Sequence, residues 1–196
     1  MKDKNGFTLI ELLVALALLG VVSLTIYSSF TSGINVWQRI STSIGEEDLG
    51  IFFERLSRQF QNTFPYSSIP FQGDEEKCSF PTIISTSEAL GGNLGIGRVT
   101  YYMDDSSGGI GQVQENLSQL YQEKGAELKL ALKNASSLSF KYYGLDVREG
   151  RYTWQESWDS SKQNGKLPQA VQLSFEFKDN QKVRYVTRTI SIPIGE

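Results

Sequence analysis

The sequence predicts an α+β protein, in which one long N-terminal helix is followed by an antiparallel β-sheet domain. Apolar residues fill positions 7–27 and then recur every three or four residues as far as Phe60, which is the period of a helix. Beyond Ser79 they alternate with polar residues, as in half-buried strands. With 196 residues, 11 Phe, 9 Tyr and 3 Trp, the chain can form one domain with a sizeable core plus an extra element.

The first part of the predicted helix is suited to a membrane. Residues 7–27 would form a helix about 31 Å long, which matches the apolar core of a bilayer. Lys2 and Lys4 precede this run and predict a cytoplasmic N-terminus. A secretory signal peptide would have a shorter apolar core and a clear small-residue cleavage site, which this stretch lacks. We therefore predict a transmembrane helix over residues 7–28.

Glu11 is the exception within this apolar run. A carboxylate at the centre of a membrane helix costs about 3 kcal/mol, so such a residue indicates a function and requires a partner. The sequence has no Lys or Arg between Asn5 and Gln38 that could pair with it. The partner must therefore come from another subunit, or from a new N-terminal amine close by.

The stretch GFTLIE at residues 6–11, with its short basic leader, resembles the processing site of type IV prepilins and pseudopilins. The resemblance implies that residues 1–6 are a leader peptide, in which Lys2 and Lys4 are the basic residues. It implies that a prepilin peptidase cleaves between Gly6 and Phe7 and then methylates Phe7. It also implies that residues 7–28 form the filament core after assembly. Glu11 would then pair with the N-terminal amine of a neighbouring subunit and so set the register of filament assembly.

The helical pattern continues beyond the apolar run. Its apolar stripe consists of Ile34, Trp37, Ile40, Ile44, Phe52, Leu56 and Phe60. We predict one helix from Phe7 to about Asn62, of which residues 29–64 are the amphipathic continuation, and Pro65 ends the pattern. Gly20, Gly33, Gly45 and Gly50 each weaken this helix by about 1 kcal/mol relative to Ala.

Residues 65–196 form the predicted β-rich domain. The alternation predicts strands at 80–85, 98–103, 117–122, 127–132, 138–143, 170–177 and 182–192. KDNQK at 178–182 is predicted to be a hairpin turn. The glycine-rich stretches at 89–97 and 104–111 are predicted to be loops.

Four stretches indicate a subtype. They are residues 52–64, residues 71–85, the segment with Trp154 and Trp158 that leads to residues 167–177, and residues 188–195. Their order and spacing resemble the J-type minor pseudopilin of type II secretion systems, which has a pilin-like fold. The resemblance implies a single-pass inner-membrane protein whose C-terminal domain lies in the periplasm. After assembly it would lie at the tip of the pseudopilus.

The resemblance also implies partners. I-type and K-type minor pseudopilins would form a tip complex with this chain that initiates pseudopilus assembly and supports protein export. The prepilin peptidase, the major pseudopilin and the inner-membrane assembly platform are the other partners. The alternative is a minor pilin of a type IV pilus, serving adhesion, motility or DNA uptake. A single Cys78 and scattered Lys and Arg argue against it, since they allow neither a C-terminal disulfide loop nor a basic patch.

Nothing in the sequence indicates an enzyme. The chain has no His, which excludes His-based catalysis and His metal ligands. Cys78 has no Cys or His companion for zinc, and the glycines at 89–97 lack the Lys-Ser/Thr of a phosphate-binding loop. Acidic clusters at 46–48, 74–76 and 104–105 lack EF-hand spacing, so we predict surface charge, with calcium binding as the alternative. We expect no cofactor, no metal and no nucleic-acid partner.

Overall fold

The computed structural model of the chain describes residues 8–86, 93–122, 126–146, 149–179 and 182–193. Side chains at positions 35–46 of the helix lie outside this description. The chain divides into two compact units, Met1–Glu46 and Glu47–Glu196. The predicted leader and cleavage residues Lys2, Lys4, Gly6 and Phe7 fall outside the described residues.

One helix, α1, extends over Leu9–Gln61 and ends one residue before the predicted end. It continues without a break through Gly20, Gly33 and Gly50, because the apolar and helix-favouring residues between the glycines outweigh their individual costs. Within the first unit, the part at Leu9–Ile34 has a mean hydropathy of 2.6 and no buried residue, and it is the one described helix long and apolar enough to cross a membrane. The long N-terminal helix of the predicted fold is confirmed.

The described part of the second unit contains strands, a short helix α2 at Leu117–Gln122 and a 3₁₀ turn at Ser160–Lys162. The strands are β1 (Gln72–Gly73), β2 (Lys77–Thr86), β3 (Asn93–Asp104), β4 (Gly109–Asn116), β5 (Glu127–Lys133), β6 (Ala135–Asp146), β7 (Arg151–Gln155), β8 (Trp158–Asp159), β9 (Ala170–Asp179) and β10 (Lys182–Ser191). Six of the seven predicted strands are confirmed within or overlapping β2, β3, β5, β6, β9 and β10.

These strands form two antiparallel sheets in the described part of the chain. One has the order β5-β4-β3-β2-β1-β8 and the other the order β10-β9-β6-β7. β9 and β10 pair from Asp179 opposite Lys182 to Ala170 opposite Ser191. The predicted hairpin at 178–182 is therefore confirmed, although residues 180–181 of its turn lie outside the described residues. The α+β fold with a C-terminal antiparallel domain is the pilin-like fold expected from the sequence.

The strand predicted at 117–122 is wrong, because this segment is helix α2. Its first turn is closed by a reciprocal pair of hydrogen bonds. The Gln119 N–H donates to Asn116 Oδ1 (2.8 Å), and the Asn116 N–H donates to Gln119 Oε1 (2.9 Å). This is capping-box geometry, which favours a helix over a strand. The spacing of three residues between Leu117 and Leu120 was the sequence signal that indicated a helix.

Both glycine-rich loop predictions are partly wrong. β3 already begins at Asn93 and β4 at Gly109, inside the stretches predicted as loops. Glycine occurs in β4 because neighbouring groups approach the backbone closely. A Cβ on Gly109 would lie 2.1 Å from the Leu132 carbonyl oxygen, and one on Gly111 would lie 2.8 Å from the Tyr102 ring. Such contacts come from neighbouring strands, so local sequence patterns do not reveal them.

The core of the second unit lies between residues 47–61 of α1 and the two sheets. Phe52 packs edge-on against Tyr101 of β3 and Phe175 of β9, with ring centroids 6.2 and 5.9 Å apart. Phe60 stacks on Phe80 of β2 at 4.3 Å. Truncating a buried Phe of this kind to Ala costs about 3–5 kcal/mol. The last part of the predicted apolar stripe is therefore a core face that contacts both sheets.

Two threonines, one in β2 and one in the loop after α1, hold the end of α1. Thr82 Oγ1 donates to the carbonyl oxygens of Gln59 (3.1 Å) and Asn62 (3.3 Å). Thr63 Oγ1 in turn donates to the Pro81 carbonyl oxygen (2.6 Å). The last carbonyls of a helix have no partner within the helix, so these bonds both satisfy them and fix the helix end to the six-stranded sheet.

Candidate functional site

The candidate site is the first turn of α1, where Glu11 lies in the apolar run. The backbone N–H and the hydroxyl of Thr8 both donate to Glu11 Oε2, each at 2.9 Å. The Glu11 N–H lies 3.4 Å from Thr8 Oγ1 and donates to it. Together these contacts form a capping box, which satisfies N–H groups that the helix itself leaves unpaired.

Thr8 is the functional neighbour that the sequence reasoning missed. We sought a cationic partner for Glu11, whereas in the structure the carboxylate is bound by a neutral residue three positions earlier. The signal was present in the sequence, because Thr-x-x-Glu before an apolar run is a capping-box pattern. Neither bond from Thr8 involves Oε1, so the cap engages one of the two carboxylate oxygens.

The surroundings of Glu11 on the helix surface are apolar. The neighbouring side chains are Ile10, Val14, Ala15 and Leu18. Within the described residues 8–34 there is no Lys or Arg. In lipid, a carboxylate in such surroundings has a strong preference for a cation that arrives from outside its own helix.

The other predicted site residues lie outside the described residues. Gly6 and Phe7, the expected cleavage and methylation positions, precede the first described residue, as do Lys2 and Lys4. The cleavage, the methylation and the role of Glu11 therefore stay predictions.

Two of the acidic clusters organise their own turns. Asp74 Oδ1 accepts the N–H groups of Glu76 (2.9 Å) and Lys77 (2.8 Å). Asp104 Oδ1 accepts the hydroxyl of Ser106 at 2.6 Å, and this hydrogen bond lowers the pKa of the Asp104 carboxyl. In the described part of the chain, no group of three or more His, Cys, Asp or Glu side chains is placed to hold a metal ion.

An open groove crosses the outer face of the six-stranded sheet. On its floor Arg98 Nε donates to Glu115 Oε2 at 2.7 Å. Further groove residues of both signs include Lys77, Asp105 and Asp159. Two of its basic groups are already paired, Arg98 with Glu115 and Lys162 with Asp159, so we assign no ligand to the groove.

Two family models match the chain. Residues 1–27 match the prokaryotic N-terminal methylation motif. Residues 97–189 match the type II secretion system (T2SS) protein J. Together the two matches support a J-type pseudopilin. No individually characterised protein matches its sequence significantly.

The two matches cover different parts of this pseudopilin. The methylation-motif match includes the predicted leader, Glu11 and most of the apolar helix. The J-protein match runs from β3 into β10 and so covers most of both sheets. It assigns the chain to type II secretion rather than to a type IV pilus. The apolar helix is compatible with a single-pass membrane anchor.

Proposed function

We propose that this pseudopilin is a minor subunit of the pseudopilus tip complex, which initiates pseudopilus assembly and supports protein export across the outer membrane. One observation carries the proposal. A methylation-motif match over residues 1–27 occurs in the same chain as a secretion J-protein match over residues 97–189. A structural role in a filament follows from this combination, and catalysis is not part of it.

The membrane placement follows from the apolar helix. Leu9–Ile34 anchors the subunit in the inner membrane, and the basic leader residues Lys2 and Lys4 keep the N-terminus in the cytoplasm. The β-rich domain is then periplasmic. Residues 47–61 of α1 are part of the core of this domain, so the domain stays attached to its own helix segment during assembly.

Assembly depends on an amine that processing creates. Cleavage between Gly6 and Phe7 by the prepilin peptidase places a cationic, methylated amine four residues from Glu11. The amine of a neighbouring subunit pairs with the Glu11 carboxylate, which either keeps or exchanges its bonds to Thr8. Two groups that are each costly in lipid thereby neutralise one another. Because the pair joins fixed positions on two helices, it sets their axial register.

The partners follow from the same role. I-type and K-type minor pseudopilins complete the tip complex, and the major pseudopilin extends the filament below it. The inner-membrane assembly platform receives the processed subunit. We propose no nucleic-acid partner.

Glu11→Gln tests the charge pairing. Gln retains a side-chain oxygen that can accept the Thr8 bonds, so this change removes the charge and leaves the cap in place. We expect normal membrane insertion and normal processing. Cross-linking to the other minor pseudopilins and secretion in a complemented deletion strain should each fall by about tenfold or more, the effect of losing about 1.4 kcal/mol of pairing energy.

Glu54→Gln is the matched control, because Glu54 lies on the same helix, is exposed and forms an exposed ion pair with Arg58 one turn away. It should assemble like the wild type. Equal secretion by the Glu11 and Glu54 variants would contradict the charge-pairing account.

Gly6→Ala and mass spectrometry test the processing step. The mature chain should begin at methylated Phe7, and Gly6→Ala should leave an unprocessed precursor that does not assemble. An intact leader on the wild-type chain, in cells with an active prepilin peptidase, would contradict the assignment of the cleavage site.

A further inference from the structure

We propose that the free edge of β10 is a docking site for an extended, acidic segment of another protein, which adds to the four-stranded sheet as a further strand. β10 (Lys182–Ser191) is an edge strand in the order β10-β9-β6-β7. In the part of the chain that the structure describes, no strand pairs with its outer side. This contact lies in the β-rich domain and goes beyond the helix-mediated assembly proposed above.

β10 is the longest and most regular of the described sheet edges. It pairs with β9 at ten consecutive positions without a register shift. β5, the edge strand of seven residues, pairs with a strand whose register shifts between Ile110 and Gly111. β7 has five residues and β8 only two. Proteins shield edges with short strands, bulges, proline or charged side chains. Along about 33 Å of strand, β10 has only the last of these, in Lys182 and Arg188.

The hydrogen-bond pattern between β9 and β10 shows which main-chain groups of β10 point away from β9. The Ile192 N–H donates to the Gln169 carbonyl oxygen at 2.8 Å, in line with the β9–β10 register. Hydrogen-bonded and non-hydrogen-bonded positions alternate along an antiparallel pair. The residues that turn both main-chain groups away from β9 are therefore Val183, Tyr185, Thr187 and Thr189. A strand added here would bond to them in the usual ladder.

Side chains next to this ladder are accessible for contact. Tyr185 is 81% exposed and Val183 is 57% exposed. A tyrosine and a β-branched residue are good cross-strand neighbours for an added strand. Each of these two large side chains would lose apolar surface to water when a strand docks beside it.

The charge of β10 selects the chemistry of the partner. The strand carries Lys182 and Arg188, both with exposed side chains, and no carboxylate. Pairing with a second copy of β10 would concentrate like charges along the new ladder, which is unfavourable. An incoming strand with carboxylates at alternate positions would instead place opposite charges side by side. The edge therefore disfavours self-association and favours an acidic strand from a different protein.

The test uses the full-length chain in detergent micelles and two synthetic peptides with blocked ends. One alternates Thr and Glu over ten residues, the length of β10, and the other alternates Thr and Lys. By titration calorimetry, the acidic peptide should bind about tenfold or more tightly than the basic one. By hydrogen exchange, it should slow exchange in the β10 segment.

Two variants locate the binding. Thr187→Pro removes an N–H that β9 does not use, so the fold should persist while affinity for the acidic peptide falls about tenfold. Thr187→Ala should bind like the wild type. If the proline variant shows faster exchange in β9, the double variant Lys182→Glu with Arg188→Glu takes its place, and it should prefer the basic peptide.

Three results would overturn the proposal. They are equal binding of the two peptides or no binding up to about 1 mM, protection outside β10, and a dimer of the chain that Thr187→Pro dissolves. The last result would identify a second copy as the occupant of the edge.

Discussion

Tyr101→Phe tests whether a buried polar contact holds α1 to the six-stranded sheet. Tyr101 is 1% exposed, and its hydroxyl donates to Gln59 Oε1 of α1 at 2.5 Å. The hydroxyl also accepts from Gln112 Nε2 of β4 at 3.0 Å. Gln112 Nε2 reaches Gln59 Oε1 directly as well, at 3.0 Å. The three side chains thus connect the helix to two strands.

The expected magnitude follows from these contacts. Two hydrogen bonds are lost, each with a net contribution of about 0.5–1.5 kcal/mol. The direct contact between Gln59 and Gln112 remains, so neither amide is left without a partner. The loss of stability should therefore lie in the lower half of the range that the two hydrogen bonds give together. We expect the free energy of unfolding to fall by about 1–2 kcal/mol, measured by urea denaturation of the full chain in detergent with tryptophan fluorescence as the signal.

The loss of stability at alkaline pH is a second measurement that tests the burial of Tyr101. Burial raises the pKa of Tyr101, because a buried phenolate loses its hydration. A group with a raised pKa in the folded state contributes stability below its unfolded pKa of about 10, and that stability is lost as pH rises above it. The wild type should therefore lose stability above about pH 10, and Tyr101→Phe should lose less of it. Burial also raises the pKa of Tyr142 and of Cys78, so both groups cause part of the alkaline loss in both proteins, and the part from Cys78 begins at about pH 8.5.

Tyr185→Phe is the matched control, because the Tyr185 side chain is 81% exposed. The same chemical change there should alter the free energy of unfolding by no more than about 0.5 kcal/mol. The reasoning is refuted if the two variants unfold alike at neutral pH, or if Tyr101→Phe retains the full alkaline loss.

Two further changes probe the packing of the domain. Gly144→Ala should destabilise the domain by about 1–3 kcal/mol in the same urea assay, because a Cβ at this position would lie 2.2 Å from the Trp158 ring. Gly50→Ala should instead stabilise α1 by up to about 1 kcal/mol, because a Cβ at Gly50 has no atom within 4 Å. Equal effects of the two substitutions would contradict the close packing at Gly144. Cys78 is fully buried, and burial raises the pKa of its thiol, so maleimide should label it only after unfolding, and rapid labelling of the native chain would contradict this burial.

Local patterns were sufficient where one physical requirement dominated. The period of apolar residues predicted α1 through Phe52, Leu56 and Phe60, because a helix must bury one face against the sheets. Alternation predicted β9 for the corresponding reason, and every second residue from Val171 to Phe177 is buried. The segment at 117–122 was predicted to be a strand although its two leucines have helical spacing, and the capping contacts of Asn116 and Gln119 stabilise it as a helix.

Glycine-containing strands could not be predicted, because their cause is nonlocal. β4 begins at Gly109, where a side chain would meet the Leu132 carbonyl oxygen on β5. The glycine-rich composition around Gly109 favours a loop, but pairing with the neighbouring strand β5 makes this segment a strand. The short strands β1 and β8 also exist only because β2 and each other provide pairing partners.

The features of the candidate site were predictable from the sequence because they depend on residues that are close together in the chain. The stretch GFTLIE and the apolar run after it were enough to indicate the pseudopilin class and to single out Glu11, because processing and membrane insertion act on contiguous residues. The contact between Thr8 and Glu11 is also local, and a capping-box pattern would have found it.

The sequence by itself determined the membrane-compatible helix, the apolar face of its second half and the resemblance to the J-type pseudopilins. Only the tertiary structure decided that Gln59 meets Tyr101, 42 residues away, and Gln112, 53 residues away. It alone also decided that β10 is left at an edge of its sheet. The physical reason is that helix period and processing motifs are properties of adjacent residues, whereas the order of strands and the burial of polar groups depend on contacts between distant ones.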